Sequence, residues 1–200
     1  MNLFTVIGVL LVGYLLGAIS FAVIIAKKNG IDILKEGSGN PGATNVKRAV
    51  GKKAGNLCFA LDALKGFAAT ILPQIFIAGD QALALSIIGL IGAIIGHSFS
   101  IFIGFKGGKG VAVTMGGLLA LAPLVLLCGI LVWVATFYTS RYVSLASIAF
   151  GVSLPLLALM SGKPNLLIGF FLLLAALIVV RHKSNIQRLL AGTENRFTKK

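Results

Sequence analysis

From Leu3 to Ala26 the chain runs for 24 residues without a charged side chain. As a helix that stretch would be about 36 Å long, enough to cross a hydrocarbon core of about 30 Å with some tilt. No basic segment precedes it and no small-residue cleavage site follows, so it reads as a retained first span and not as a signal peptide. Comparable apolar stretches occupy roughly 54–79, 82–105, 111–138, 142–161 and 165–180. Backbone in lipid must satisfy its own hydrogen bonds, and these runs are too long for barrel strands. The sequence therefore predicts an all-α integral membrane protein, one polytopic domain over residues 1–200. Composition agrees: 58% of residues are hydrophobic and 12% charged, against the ~25% charge of an ordinary soluble domain. A soluble enzyme, a disordered tail and a fibrous repeat are excluded.

Eighteen Lys and Arg oppose five acids, for a formal charge of +13. Seven of the basic residues lie between Lys27 and Lys53, two are Lys106 and Lys109, and six lie from Arg181 to Lys200. The positive-inside rule puts all three groups in the cytoplasm. Six simple crossings would leave the basic tail outside. An extra turn repairs the parity, and Ala122-Pro123 is where it is expected, because proline and the residue before it both disfavour helix. Two short helices meeting there would bring Thr139–Arg141 back to the cytoplasm. The expectation is a bundle of about seven transmembrane helices, some short or broken, with the N-terminus outside and the C-terminus cytoplasmic. Sixteen of the eighteen basic residues then face the cytoplasm, with Lys65 inside a span and Lys163 outside.

Small residues at Gly13-x-x-x-Gly17 and Gly92-x-x-x-Gly96 suit close helix packing. Cys58 and Cys128 lie in apolar runs and read as packing residues. His, Cys and carboxylate spacing for a metal is missing, and aromatic residues do not interleave with the basic clusters, so neither a metal nor a nucleic acid is expected.

Two loops carry the strongest chemical signal. The first is Glu36-Gly-Ser-Gly-Asn-Pro-Gly-Ala-Thr-Asn45, followed by Lys47-Arg48. Gly37, Gly39 and Gly42, with the proline, enforce a folded loop with exposed N–H groups. Ser38, Asn40, Thr44 and Asn45 add neutral donors, and Arg48 adds a planar fork suited to phosphate. The second is Phe105-Lys-Gly-Gly-Lys-Gly-Val111. Its consecutive glycines let successive N–H groups converge on an anion, and a helix starting near Val111 would add its dipole. It is not a Walker A loop: Gly104-x-x-x-Gly108-Lys109 is one residue short, and Gly110 stands where a Ser or Thr would bind magnesium.

Inside the membrane, Asp62 and Lys65 are three residues apart and share a helix face. They read equally well as a functional pair or as a structural ion pair. His97, nine residues before Lys106, is open in the same way. The tail carries Arg181-His-Lys-Ser-Asn185 and Glu194, with Ile186, Leu189 and Leu190 spaced as an interfacial amphipathic helix.

None of these elements supplies a Ser-His-Asp or Cys-His set. They look built to hold phosphate oxygens at the lipid boundary. A substrate whose own leaving group is phosphate fits such a site, because an acyl phosphate is already activated and needs mainly alignment and charge neutralisation. The rival class is a phosphate or anion transporter. It is disfavoured because transporters usually place sites at the midplane between repeated halves, and no repeat is visible.

The chain resembles the bacterial acyl-phosphate-dependent glycerol-3-phosphate acyltransferase family. The matching pieces are Gly37–Asn45, Asp62-Ala-Leu-Lys-Gly66, Gly96-His-x-Phe-x-x-Phe102 leading into Phe105–Gly110, and Arg181-His-x-x-Asn185 with Glu194. They occur in the family order and cover the chain end to end. The His-x-x-x-x-Asp dyad of unrelated acyltransferases is absent, since Phe102 follows His97 and Gln187 follows His182 at that spacing.

The resemblance implies transfer of a fatty acyl group from acyl phosphate to the 1-hydroxyl of sn-glycerol 3-phosphate, giving lysophosphatidic acid and phosphate. This is the first acylation of bacterial phospholipid synthesis, at the cytoplasmic face of the cytoplasmic membrane. Ser38 and Arg48, with Asn40, Thr44 and Asn45, would hold acyl phosphate and order the site. Lys106, Lys109 and the glycines 107, 108 and 110 would bind glycerol phosphate. His182 and Asn185 would complete the site, Ser144 is a further donor, and Asp62, Lys65, His97 and Glu194 would support it. The base stays open between His182 and a phosphate oxygen of the donor. No cofactor is called for. The basic face would suit transient contact with the soluble enzyme that makes acyl phosphate. Arg48→Lys keeps the charge and loses the two-pronged fork. Its turnover, measured with purified protein, is expected to collapse, and wild-type kinetics would refute the phosphate-fork role.

Overall fold

Most of the chain's described backbone is helical. The computed structural model describes residues 2–77, 79 and 81–197, and no strand occurs among them. Asp80 and the last two lysines of the basic tail, Lys199 and Lys200, lie outside the described residues. The helices are α1 (Leu3–Ala18), α2 (Phe21–Lys28), α3 (Ala43–Ala49), α4 (Lys52–Phe76), α5 (Ala82–Ser98), α6 (Val111–Leu121), α7 (Pro123–Ser140), α8 (Val143–Met160), α9 (Asn165–Arg181) and α10 (Lys183–Leu190). Between Leu121 and Ala122 the chain divides into two compact units.

Among the described residues, four stretches are long and apolar enough to cross a membrane: Leu3–Lys28, Lys52–Phe76, Pro123–Ser140 and Val143–Met160. The pair α9 and α10, bent by 58°, passes the same test only when counted together, and α5 and α6 are shorter apolar helices. Three expectations about these spans change. The first span is not one unbroken helix, because Ile19 turns extended (φ −62°, ψ 111°) and Ser20 caps α2 by accepting from the Val23 N–H. The stretch 82–105 is helical only to Ser98, beyond which the glycine-rich loop takes over. The break at Ala122-Pro123 is where proline placed it, but the two pieces are unequal, at 11 and 18 residues. Proline at a helix start forfeits no hydrogen bond. No charge follows until Arg141, so α7 grows long enough to span on its own.

In the first unit, glycine sets the distances. A Cβ on Gly13 or Gly17 of α1 would strike the backbone of Gly89 or Ala93 in α5, and one on Gly92 or Gly96 would strike Leu10 or Tyr14 in α1. Gly66 and Gly116 do the same between α4 and α6. These are the close backbone approaches that replace hydrophobic driving force in lipid. The carbonyls freed by the α1–α2 break are then satisfied by side chains. Lys65 Nζ donates to the Ile19 carbonyl at 2.7 Å and Ser100 Oγ to the Ala18 carbonyl at 2.6 Å. Lys65 also pairs with Asp62 at 2.8 Å.

In the second unit, Gly129 of α7 lies against Phe150 and Leu154 of α8, and Gly151 of α8 against Ile178 of α9. The α7–α8 turn is held by Arg141 in a left-handed conformation (φ 65°), its N–H donating to the Phe137 carbonyl at 2.7 Å and its carbonyl accepting from Phe197 at 2.9 Å. The tail beyond α10 is tied by Glu194. Its carboxylate, 5% exposed, accepts from Ser144 at 2.8 Å, Asn185 at 2.7 Å and Arg188 at 2.7 Å. Burial pushes the Glu194 carboxyl up, but the hydrogen bonds from Asn185, Ser144 and Arg188, with the Arg188 charge, outweigh it and hold the group below its ordinary value.

A depressed carboxylate contributes stability above its unfolded pKa of about 4.3 and loses it as pH falls through the folded value. The tail is therefore expected to release below about pH 4. Glu194→Gln, which offers one acceptor where two were used, should cost about 1–3 kcal/mol at neutral pH and flatten that acid dependence. Limited proteolysis of residues 191–197 against pH reads both effects, and an unchanged profile would remove Glu194 as the tether.

Candidate active site

The first unit carries the two glycine loops. In the first loop Gly37 (φ 58°) and Gly39 (φ 67°) take left-handed conformations that other residues resist. Asn45, 1% exposed, sits beneath them. Its Oδ1 accepts from the Ser38 N–H at 3.1 Å, and its Nδ2 donates to the carbonyls of Glu36 at 2.8 Å and Ile33 at 3.3 Å. All of its side-chain hydrogen atoms are committed to the loop's backbone, so Asn45 orders this segment. Ser38 Oγ accepts from the Asn40 N–H at 3.4 Å. Ser38 and Arg48 are exposed, and Thr44 and Arg48 share a face of α3. Asn40 and Gly42 close the turn into α3 through the Gly42 N–H to Asn40 carbonyl bond at 2.9 Å.

The second loop lies on His97. The Gly108 N–H donates to the His97 carbonyl at 3.0 Å, and a Cβ on Gly108 would run into the His97 ring. A Cβ on Gly107 would meet the backbone of His97 and Ser98. Gly110 is left-handed (φ 79°), and its carbonyl accepts from Thr114, opening α6. Lys106 is exposed and Lys109 partly so. His97 in turn has Nδ1 3.7 Å from Asp62 Oδ1, and Cys58 Sγ points at Asp62 Oδ2 at 3.7 Å. Asp62, Lys65, His97 and Ser100 thus form one buried polar group that joins the α1–α2 break to the floor of the second loop.

In the second unit, Ser144, Asn185 and Glu194 belong to a single network, completed by Arg188. His182 is 3% exposed, with Nδ1 2.7 Å from the Ile178 carbonyl. A carbonyl only accepts, so Nδ1 carries a hydrogen directed at it. The Asn185 N–H donates to the His182 carbonyl at 2.8 Å, fixing the two residues to the start of α10.

Sequence reading missed Cys58 and Arg188 as members of these networks, and set Ser100 with His97 without its bond to Ala18. Ser100 had a signal in its polarity next to His97. Cys58 had one too, in its spacing four residues before Asp62 on α4, whereas Arg188 reaches Glu194 only because the tail folds back. Among the described residues no group of three His, Cys, Asp or Glu could hold a metal.

Comparison with known proteins completes the picture. Residues 7–192 match the family model for glycerol-3-phosphate acyltransferase. A glycerol-3-phosphate acyltransferase of Aquifex aeolicus is 48% identical over 92% of this chain and 95% of its own length. That of Shouchella clausii is 43% identical over 98% of each chain. Two solved structures of PlsY (YgiH), an integral membrane glycerol 3-phosphate acyltransferase, superpose with TM-scores of 0.90 and 0.87 at 42% identity, covering 96% of this chain and 96% and 95% of theirs. One is the glycerol 3-phosphate form and the other the lysophosphatidic acid form. The chain belongs to the glycerol-3-phosphate acyltransferase family of integral membrane enzymes, which displaces the anion-transporter alternative.

Proposed function

We propose that this acyltransferase takes its acyl group from acyl phosphate and delivers it to the 1-hydroxyl of sn-glycerol 3-phosphate. The hydroxyl oxygen bonds to the acyl carbon, the bond from that carbon to the phosphate oxygen breaks, and the products are lysophosphatidic acid and inorganic phosphate. The hydroxyl proton leaves on phosphate, either directly or through His182 Nε2. The observation that carries this reading is the construction of the two loops. Each is a glycine-shaped backbone with a buried side chain beneath it, Asn45 under one and His97 under the other, and cationic groups beside it. Such a surface is pre-organised for phosphate oxygens. An already activated donor suits it.

In this reading Ser38 and Arg48, with Gly37, Gly39, Asn40, Gly42 and Thr44, take the acyl phosphate, and Asn45 shapes that loop. Lys106, Lys109 and glycines 107, 108 and 110 take the acceptor's phosphate. Within the second unit, His182 and Asn185 act on the reactants, Ser144 assists, and Glu194 holds Asn185 and Ser144 in place. Asp62, Lys65 and His97 support the first unit. The enzyme works as one polytopic domain in the bacterial cytoplasmic membrane, N-terminus outside and C-terminus inside, with its chemistry facing the cytoplasm. The soluble enzyme that makes acyl phosphate docks on it transiently. The name of the lysophosphatidic acid form of the solved relative supports the product.

Purified protein given radiolabelled glycerol 3-phosphate should form labelled lipid with acyl phosphate and none with coenzyme A or carrier-protein thioesters. Product from thioesters alone would refute the donor assignment. Gly108→Ala, whose methyl meets the His97 ring, should raise KM for glycerol 3-phosphate at least about tenfold, roughly 1.4 kcal/mol of lost binding. An unchanged KM would take the acceptor away from this loop.

A further inference from the structure

The segment between α5 and the second glycine loop is apolar and exposed, yet it is not helical. Phe99, Ile101, Phe102 and Phe105 are 47%, 53%, 65% and 63% exposed, around a 3₁₀ turn at Ile101–Ile103. None of the residue roles assigned above uses these side chains. Irregular backbone is tolerated at membrane depth only when its polar groups are satisfied. Here six N–H groups of the segment find acceptors close by. The N–H groups of Ser100, Ile103, Phe105 and Lys106 donate to the carbonyls of Lys106, Ser100, Ser100 and Ile103, Phe102 donates to Ser100 Oγ, and Phe99 donates to Ile95.

Depth follows from the attachment. Ser100 Oγ bonds to the Ala18 carbonyl, and Tyr14 Oη to the Phe99 carbonyl at 2.9 Å. Both acceptors tie the loop to the span Leu3–Lys28, whose charged end is Lys27 and Lys28. Ala18 lies before the break, and α2 from Phe21 to Lys28 adds about 10 Å of helix between it and that charged end. The headgroup layer on each side is only roughly 5–8 Å thick. The loop therefore sits below the headgroups. It also continues a lipid-facing stripe, since Ile95, one turn before Phe99, is 41% exposed, and Leu11 and Leu15 flanking Tyr14 are 54% and 52% exposed.

We propose that Phe99–Phe105 is a lipid-inserted wedge whose phenylalanines and isoleucine pack against bilayer acyl chains just beneath the headgroups. It anchors the glycine loop that follows it at a fixed depth. Lys106 next to it is exposed and long enough to reach the headgroups. This inference rests on the membrane fold and not on the identity of the acyl donor.

The test uses the full chain in phospholipid vesicles, with Trp133→Phe to remove the single native tryptophan and Phe102→Trp as reporter. Bromines placed near the carbonyl end of the acyl chains should quench the reporter several-fold more than aqueous iodide does, and more than bromines near the methyl end. Dominant iodide quenching would overturn the proposal and point to a water-facing docking surface for a soluble protein. Quenching by neither agent would also overturn it, because the ring would then be packed against protein. Ile101→Trp provides a second reporter that must give the same pattern, and it decides the matter if the first variant does not fold.

Discussion

A membrane helix that stops and restarts leaves carbonyls with no water to receive them, and the first unit is organised around answering that problem. The break at Ile19 frees its own carbonyl and that of Ala18, and the answers come from Lys65 and Ser100. Each answer binds a distant part of the chain to the first span. Lys65 brings α4, and with it Asp62. Ser100 brings the loop that becomes Lys106–Gly110. The desolvation of a buried ammonium is large, and Lys65 meets it with a carboxylate at 2.8 Å, a carbonyl at 2.7 Å and the Phe21 ring 5.7 Å away. Asp62 also faces His97, so one buried pair supports both the helix break and the floor of the second glycine loop.

The two glycine loops are made rigid in a common way. Flexibility at glycine is a liability unless something beneath removes it. Asn45 removes it in the first loop by occupying three backbone groups, and His97 removes it in the second by filling the space where Cβ atoms would be. The glycines are thus needed for contact as much as for conformation. The second unit follows the same logic with a charge. Glu194 gathers the donors of Ser144, Asn185 and Arg188, which lie on α8 and α10, and so sets Asn185 beside His182.

Much of this was legible in the chain itself. Hydropathy showed the apolar segments, Pro123 showed where α6 gives way to α7, and the glycine pairs showed faces suited to close packing, though not that α1 and α5 would be partners. The motifs pointed to phosphate because glycine, lysine and arginine in that pattern have few other uses. What stayed hidden depended on three-dimensional closure. Nothing in Leu3–Ala26 announces a break at Ile19, since every residue there is a good membrane helix former or a small polar one. Ser20 caps α2 only because the chain has already turned. Asn45 looked like a ligand donor, and only its depth below the loop shows that its amide is spent on backbone. The carboxylate of Glu194 could be placed near the site by motif, but not as the common acceptor of three donors.

The Asp62–Lys65 pair also bears on biogenesis. A lone lysine at the centre of a nascent span opposes its insertion by about 2.5–3.5 kcal/mol. One helical turn away, Asp62 lets the segment enter as a neutral unit. The pair then finds its remaining partner only when the Ile19 carbonyl is already in the bilayer. Synthesis order supplies this, because the first span precedes α4 in the chain. The same contact that supports the finished protein thus gives the fourth helix a reason to dock on the first as soon as it leaves the insertion machinery.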